Sequence, residues 1–489
     1  MHSKTLKATC VAAALVAAAC RENSGPTQAN VALNPVVPSL TSAVAGAPPN
    51  NVLAVTVSFD ATGADSVRAV YQASNGSAEA TPFHAAQSGL DSILVLGLRP
   101  TTLYQIRIEA VTSGRSETSA ATAIRTSALP DDIAGLSLRA LTGRPTRPYA
   151  ATGIFTGTAG YAVIFDSTGT VVWYRSFAST GLPVSDVAMQ PNGNFTAYIG
   201  ASHGWEPQNG YYVEITPRGD IMHTFDAPGG YWADGHEMLL TGSGASARAH
   251  FLTYDLRDMD LSSYDGPASA MVAGHQVVRT DMEGNVEWSW NAWDHLAITD
   301  KIGEESPANL ANTDYDHPNA ITFDRDGNYV VSWRDLNQII GIDSKTGAVL
   351  WKLGGTRGEY RFVNDPKNGF SKQHYARILS NGNLLLFDNG FDGTPQESRA
   401  VEYKLDHTAK TATMVWEYRH SPALFSRFVG NVNRLSNDNT WVGFGLVGEV
   451  TEVSHAGNVI WDAQLEISGT NWSAYRIVPV VSLYSYVAP

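Results

Sequence analysis

Cysteine is almost missing from this 489-residue chain: there are two, Cys10 and Cys20, both within the first twenty positions. Cys10 lies in a stretch that reads as a removable leader, so the mature chain has no pair for an internal disulfide and must be stabilised by packing. Positive charge is scarce as well. Lys and Arg number 33 against 47 Asp and Glu, a formal charge of −14, which becomes −16 when Lys4 and Lys7 leave with the leader. This balance argues against nucleic acid and anionic lipid as partners, although a few convergent His and Arg groups still create a local potential that admits an anionic substrate. The N-terminal apolar run ATCVAAALVAAA is too short to cross a bilayer. Tryptophan is absent before Trp173, and all twelve lie at or after it, which marks a change of domain.

The leader, 1–19, has His2, Lys4 and Lys7 ahead of the apolar run and the polar RENSGPTQ beyond it, the pattern of a secretion signal. Cys20 after Ala17-Ala18-Ala19 resembles a bacterial lipobox, which makes Cys20 the first mature residue and a lipidation site; an ordinary signal cut nearby is the other reading. Either way the protein is expected outside the cytoplasm, in the periplasm or cell envelope. A Pro/Asn/Val/Ser-rich tether, 20–36, precedes alternating strands over 37–127. Within these, Leu98-Arg-Pro-Thr-Thr-Leu-Tyr104 and the alternation to Val111 resemble the tyrosine-bearing strand of a fibronectin type III domain. The expectation is an Ig/fibronectin III-like β-sandwich that carries no chemistry.

From 135 to 489 the pattern repeats. HPNAITF, the turn DRDGN, YVVSWR, then QIIGID, the turn SKTG and AVLWKL are four short runs rich in β-branched and aromatic residues, an antiparallel meander. Its last strand, Gly347-x-Val349-x-Trp351, recurs at Gly169-x-Val171-x-Trp173, Gly284-x-Val286-x-Trp288 and Gly457-x-Val459-x-Trp461, with weaker copies at Gly219 to His223 and Ala412 to Trp416. Six copies, 45 to 65 residues apart, predict an all-β architecture with a six-bladed β-propeller. Trp173, Trp288, Trp351, Trp416 and Trp461 are expected to be contacts between blades.

Residues equidistant from a hairpin turn are cross-strand neighbours. On that count His317 faces Arg334, Asn319 shares the face of His317, and His374 neighbours Asp388 and Asn389. His236, in YWADGHEMLL, opens the preceding unit at the corresponding point. Three histidines at matching points of three successive units converge on one rim. His203, His223, His250, His275, His295, His407, His420 and His455 share no such register and read as surface, turn or core residues. Neutral imidazole is a nucleophile, and Arg, His and Asn donate hydrogen bonds to tetrahedral oxyanions, so group transfer at phosphorus or sulfur suits this set. Trp205, Trp232, Trp333 and Tyr375 are candidate walls of an aryl pocket, with Asp388 and Asn389 beside His374. Asp314, Asp316, Asp324 and Asp326 lack the ligand run of a calcium loop, and no metal or other cofactor is expected.

His-x-Asn, a downstream Ser-x-Arg, Trp-x-Leu-Gly-Gly, Gln-His and Phe-Asp-Asn-Gly, in this order, resemble the bacterial arylsulfotransferase family over roughly 135–489. The resemblance implies transfer of a sulfuryl group from an aryl sulfate to a phenolic acceptor, through a sulfohistidine and without a nucleotide. His374 of Gln373-His374 matches the family nucleophile; His317, Asn319 and Arg334 match the residues that hold the sulfuryl oxygens; His236 matches a further active-site histidine. Family members often show His-His-Asp where this chain has Gly235-His236-Glu237. Either Asp388 or a backbone carbonyl is expected to hold the second nitrogen of His374, and either His236 or His317 to move the phenolic proton. Two other readings remain: a quinoprotein dehydrogenase, because IDSKTGAVLWKL resembles its Trp-docking repeat, and a non-catalytic propeller lipoprotein scaffold.

Overall fold

The computed structural model describes residues 34–45, 51–201, 210–301 and 313–484. The leader, Cys20, most of the tether and Trp205 lie outside these residues. Every regular element of the described chain is a β-strand or a single 3-10 turn, in keeping with the all-β expectation. The β-branched and aromatic runs form strands because their side chains fill a pleated, half-buried surface, and the Asp-Gly and Asn-Gly pairs between them supply the tight turns.

Two antiparallel sheets form the N-terminal part. One orders Ser39–Ala45, Val55–Asp60 and Leu90–Val95; the other is built on Ser66–Ala73 and Leu103–Thr112. Alternate residues Val55, Val57, Phe59, Val67, Ala69, Ile106 and Ile108 share one buried core, the period of two expected of sheets with one dry face. This part is docked on the rest of the chain. Val52 and Leu53 enter a core with Trp441 and Trp461, and Arg99 pairs with Asp166 at 2.7 Å.

Between Leu136 and Val480 the chain forms six sheets; five hold four strands in sequence order, and the remaining one orders Val171–Ser176, Gly160–Asp166, Tyr149–Phe155 and the C-terminal Val478–Val480. Their first strands are Tyr149–Phe155, Val184–Met189, Trp232–Thr241, Pro318–Phe323, His374–Ile378 and Asn431–Arg434. These strands pack on one another in chain order, and the sixth packs on Val478–Val480, which pairs with the first. Leu136–Gly143 pairs with Val459–Ile467, so the start of the region is zipped to its last sheet.

Indole N–H groups tie neighbouring sheets: Trp173 donates to the Pro217 carbonyl at 2.7 Å, Trp290 to Gly347 at 2.9 Å and Trp416 to His455 at 2.8 Å. In the third sheet the indole hydrogen bond is made by Trp290, while the repeated Trp288 reaches the fourth sheet by stacking on Tyr329 with centroids 4.6 Å apart, the contact between units expected of it. A two-residue offset keeps the same strand face, so the repeat pattern alone does not distinguish them.

Candidate active site

The first strands of the second to fifth sheets share a defect. Each loses register partway: between Ser185 and Ala188, Asp234 and Met238, Pro318 and Ala320, and His374 and Arg377. Extra residues in one strand bend it and re-aim side chains out of the ladder, as β-bulges do next to functional sites. The residues so displaced or flanking include His236, Asn319, His374 and Tyr375. Asp186, His317 and Tyr375 have φ of 45°, 47° and 53°, a conformation that costs free energy for residues with a Cβ and must be held by its surroundings.

His317 and Arg334 are neighbours, as counted from the turn, through the Arg334 N–H bonded to the His317 carbonyl at 2.9 Å. The rings of His236 and His317 stand edge to face with centroids 4.7 Å apart. Nδ1 of His236 lies 2.7 Å from Asp234 Oδ1, and Nδ1 of His317 lies 2.8 Å from Asp314 Oδ2. Since a carboxylate only accepts, each ring carries its hydrogen on Nδ1. Burial lowers the pKa of His236 in spite of Asp234.

His374 is 1% exposed. Its Nδ1 is 2.7 Å from Asn389 Oδ1 and 3.1 Å from the Lys372 carbonyl, and its Nε2 accepts the Val429 N–H at 3.2 Å. The acceptor is therefore Asn389, with the Lys372 carbonyl, and Asp388 is not involved. The Asp388 carboxylate is taken up by Arg399 at 2.9 Å and by the N–H groups of Ser371 and Gly390. Successive strand residues point to opposite faces, which is why only one of this adjacent pair reaches His374. Burial, then the nearby Arg334 charge, hold His374 well below the usual histidine range, so its imidazole is neutral.

Arg334 donates from Nη1 to Asp335 Oδ1 at 2.5 Å, while its buried Nε has no partner among the described residues. Asp335 also meets Lys301 at 2.7 Å and Lys372 at 3.1 Å. Against the upward push of burial, Arg334, His317 and the lysines keep its carboxyl well below the ordinary range. Asn319 gives one amide hydrogen to the Gln373 carbonyl at 2.8 Å, bracing the backbone next to His374.

Of the candidate aromatic walls, Tyr375 lies between the guanidiniums of Arg377 and Arg476, 3.6 and 4.5 Å from its ring centre. Trp333 does not line the site: it is fully buried against Trp290 in the core of the third and fourth sheets. Trp232 is half-buried, paired with Tyr254 at the start of its strand.

His275 departs from the sequence reading. It is fully buried with Nδ1 2.5 Å from Asp316 and Nε2 3.4 Å from Asp234, inside the cluster. Its strand is third in its sheet, so the match of first strands has no place for it. The Asp-x-His of Asp234 and His236, and the two aspartates ahead of His317, were the available signal for the carboxylate partners. Gly235 has its own reason. A Cβ there would lie 2.5 Å from the Tyr198 ring, so this chain cannot carry a second histidine at that position without moving Tyr198.

Asp314, His317 and Asp335 present three donor atoms within 4.8 Å of one another. Arg334, Lys301 and Lys372 already surround Asp335 and would repel a metal ion. The cluster has the makings of a site for a tetrahedral anion beside a neutral imidazole.

The arylsulfotransferase family model matches residues 141–476, more than half of the chain. The chain belongs to the arylsulfotransferase family. The arylsulfate sulfotransferase AssT of Escherichia coli O6:H1 is 24% identical over 326 residues, covering 52% of this chain and 50% of that relative. The chain thus spans about half the length of this arylsulfotransferase. Among solved structures, a protein of unknown function from Bacteroides caccae is similar at a TM-score of 0.43, with 15% identity, 70% of this chain and 100% of that one covered. Virginiamycin B lyase from Staphylococcus aureus is similar at a TM-score of 0.35, with 10% identity over 67% of this chain and 84% of that one.

Proposed function

We propose that this protein is an aryl-sulfate sulfotransferase that moves a sulfuryl group from an aryl sulfate ester to a phenolic acceptor, with His374 as the nucleophile. The observation that carries this reading is the hydrogen bonding of Asn389. Its amide nitrogen donates to the carbonyls of Ser426 at 2.7 Å and Val429 at 3.0 Å, so its oxygen must face His374 and accept from Nδ1–H. The lone pair of His374 then lies on Nε2.

In the first half-reaction Nε2 attacks sulfur. The N–S bond forms, the S–O bond to the aryl group breaks, and the phenolate leaves with the electron pair and takes the Nε2 proton of His236 or His317 in its doubly protonated form, which leaves that ring neutral with its hydrogen on Nδ1. In the second, the acceptor phenol gives its proton to that same histidine. Its oxygen attacks sulfur, and the N–S bond returns its pair to Nε2. No water, nucleotide or redox partner is consumed. Sulfur must displace the Val429 N–H from Nε2, which costs about 1 kcal/mol for a neutral hydrogen bond. Each well-placed donor to the sulfuryl oxygens supplies about 3 kcal/mol, so Arg334 with Asn319 and His317 outweighs that cost.

The same reading takes the six sheets as the blades of a β-propeller. The N-terminal part is then an Ig/fibronectin III-like domain over 37–127, and export with lipid attachment at Cys20 delivers the enzyme to the cell envelope. The family assignment does not favour a quinoprotein dehydrogenase, and a scaffold role leaves the neutral, oriented His374 without a purpose.

The test is intact-protein mass spectrometry after brief mixing with a chromogenic aryl sulfate, with phenol release followed in parallel. A sulfuryl adduct that maps to His374 and is discharged by added phenol is expected. Phenol release without any adduct rules out the covalent route.

A further inference from the structure

Four buried side chains run in a line behind the two candidate acid–base histidines. Asp316 Oδ1 meets His275 Nδ1 at 2.5 Å, His275 Nε2 faces Asp234 Oδ2 at 3.4 Å, and Asp234 Oδ1 takes both the ring Nδ1 and the backbone N–H of His236, at 2.7 and 2.9 Å. Asp234, His275 and Asp316 are each 0% exposed. The ring of Tyr254 covers His275 at 4.5 Å between centroids.

We propose that His275 is a positioning residue of the active site, an imidazolium clamped between two carboxylates that keeps Asp234 ionised and oriented toward His236 Nδ1–H. This inference rests on the sulfotransferase reading for its catalytic consequence, and on geometry alone for its protonation.

Both ring nitrogens of His275 face carboxylate oxygens, and a neutral imidazole would set a lone pair against one of them. Protonating both nitrogens makes the Asp316 contact a charge-assisted hydrogen bond and gives the 3.4 Å approach of Nε2 to Asp234 Oδ2, which lacks hydrogen-bond geometry, the attraction of an ion pair. It also removes a worse problem, because two carboxylates buried without a cation between them would each carry a large desolvation cost. Burial alone would strip the proton from His275, but Asp316 and Asp234 raise its pKa to about 10. Asp234, against burial, is held well below the usual carboxylate range by His236 and His275.

The clamp reaches both acid–base candidates. Through Asp234 it sets the tautomer of His236. Through Asp316 Oδ1, which also accepts the His317 N–H at 2.8 Å, it holds the backbone of His317 in its left-handed conformation. The groups that act on this line are Asp234 and His236 from one strand, Tyr254 from the next, and Asp314, Asp316 and His317 from the segment leading into the fourth sheet. His275 lowers the pKa of His236 by like charge, so its removal moves His236 upward. The chemistry implied is a proton shuttle whose set-point is fixed by a buried charge that never contacts substrate.

The test uses the full chain labelled with 15N-histidine, in the His420→Gln background, and reads the imidazole nitrogens between about pH 6 and 9.5 with no sulfate donor present. His420→Gln is needed because that histidine is raised to about 10 as well, by Asp462 and Glu449 against burial. The expected spectrum has one histidine still doubly protonated above about pH 8, lost in His275→Gln, and His236 as the neutral Nδ1–H form. Absence of a charged histidine above that pH overturns the proposal, whether or not His275→Gln folds. Where that variant folds, kcat should fall about tenfold or more with little change in KM, and the pH limb of His236 should move to higher pH. A lower melting temperature with an unmoved limb would make His275 purely structural and end the positioning role. Should the spectrum be as expected while no aryl sulfate is turned over, the protonation assignment stands and the sulfotransferase reading falls.

Discussion

Asn389 Oδ1 and His374 Nδ1 are 2.7 Å apart, and both hydrogens of the Asn389 amide are spent on backbone carbonyls. One asparagine thereby dictates which nitrogen of the buried histidine holds a proton. An imidazole in water samples both tautomers and takes up a proton near pH 6.5; here it does neither.

Asn389→Ala should leave His374 in place but let its ring exchange tautomers. The expected result is a fall in kcat of about 10- to 100-fold with the donor KM little changed, measured by steady-state phenol release. Unaltered turnover would mean that the tautomer is set elsewhere.

His374→Asn removes the nucleophile while filling a similar volume. Transfer should be abolished and the circular dichroism melt should stay cooperative, because an amide can donate to Asn389 and accept from the Val429 N–H in place of the imidazole. Residual turnover near the wild-type level would exclude a sulfohistidine.

Arg334→Gln should lower kcat about 100-fold by removing a charged donor from the sulfuryl oxygens. It should also shift the acid limb. The Arg334 charge helps hold His374 low, so its loss raises the His374 pKa and brings protonation of Nε2 to a higher pH. A rate loss without any movement of the limb would place Arg334 away from His374.

Arg476 is 3% exposed and pairs with Asp186 at 2.5 Å and Glu237 at 3.2 Å, bridging the first strands of the second and third sheets. Arg476→Met should destabilise the fold by about 3 kcal/mol or more, since it strands buried carboxylates. Chemical denaturation with the slope held constant reads this directly.

The histidines also predict how stability varies with pH. His420, with its folded pKa raised to about 10 above an unfolded value near 6.5, contributes stability that is complete below the unfolded value and is lost as pH rises through about 10. His250, held down at about 3 by burial, acts in the opposite sense: its contribution is present above the unfolded value and is lost as pH falls. His420→Gln should therefore give a shallower alkaline fall in melting temperature while leaving the acid side unchanged. An equal alkaline fall in both proteins would show that His420 is not charged in the fold.

How far the site could be read from the chain differs from residue to residue. His317 and Arg334 lie on either side of one short hairpin, so counting from the Asp-Gly turn was enough to make them neighbours. The same count put His374 beside two residues, Asp388 and Asn389, and could not choose between them, because a bulge between His374 and Arg377 decides which one it meets. Trp333 followed the opposite course. As an aromatic next to Arg334 it looked like a pocket wall, yet alternation along the strand sends it into the core. His275 had no local signature at all, since its partners Asp234 and Asp316 are 41 residues away on either side in sequence.

What the amino-acid sequence determined by itself was everything with a short period: the strands, their turns, the six recurring units, and the pairing of residues across single hairpins. Local sterics and a two-residue alternation are enough to specify these. The tertiary structure alone decided the protonation of the site. The neutrality of His374 and the charge on His275 depend on desolvation and on groups far away in sequence. Those energies arise only when distant strands exclude water from the groups they bring together.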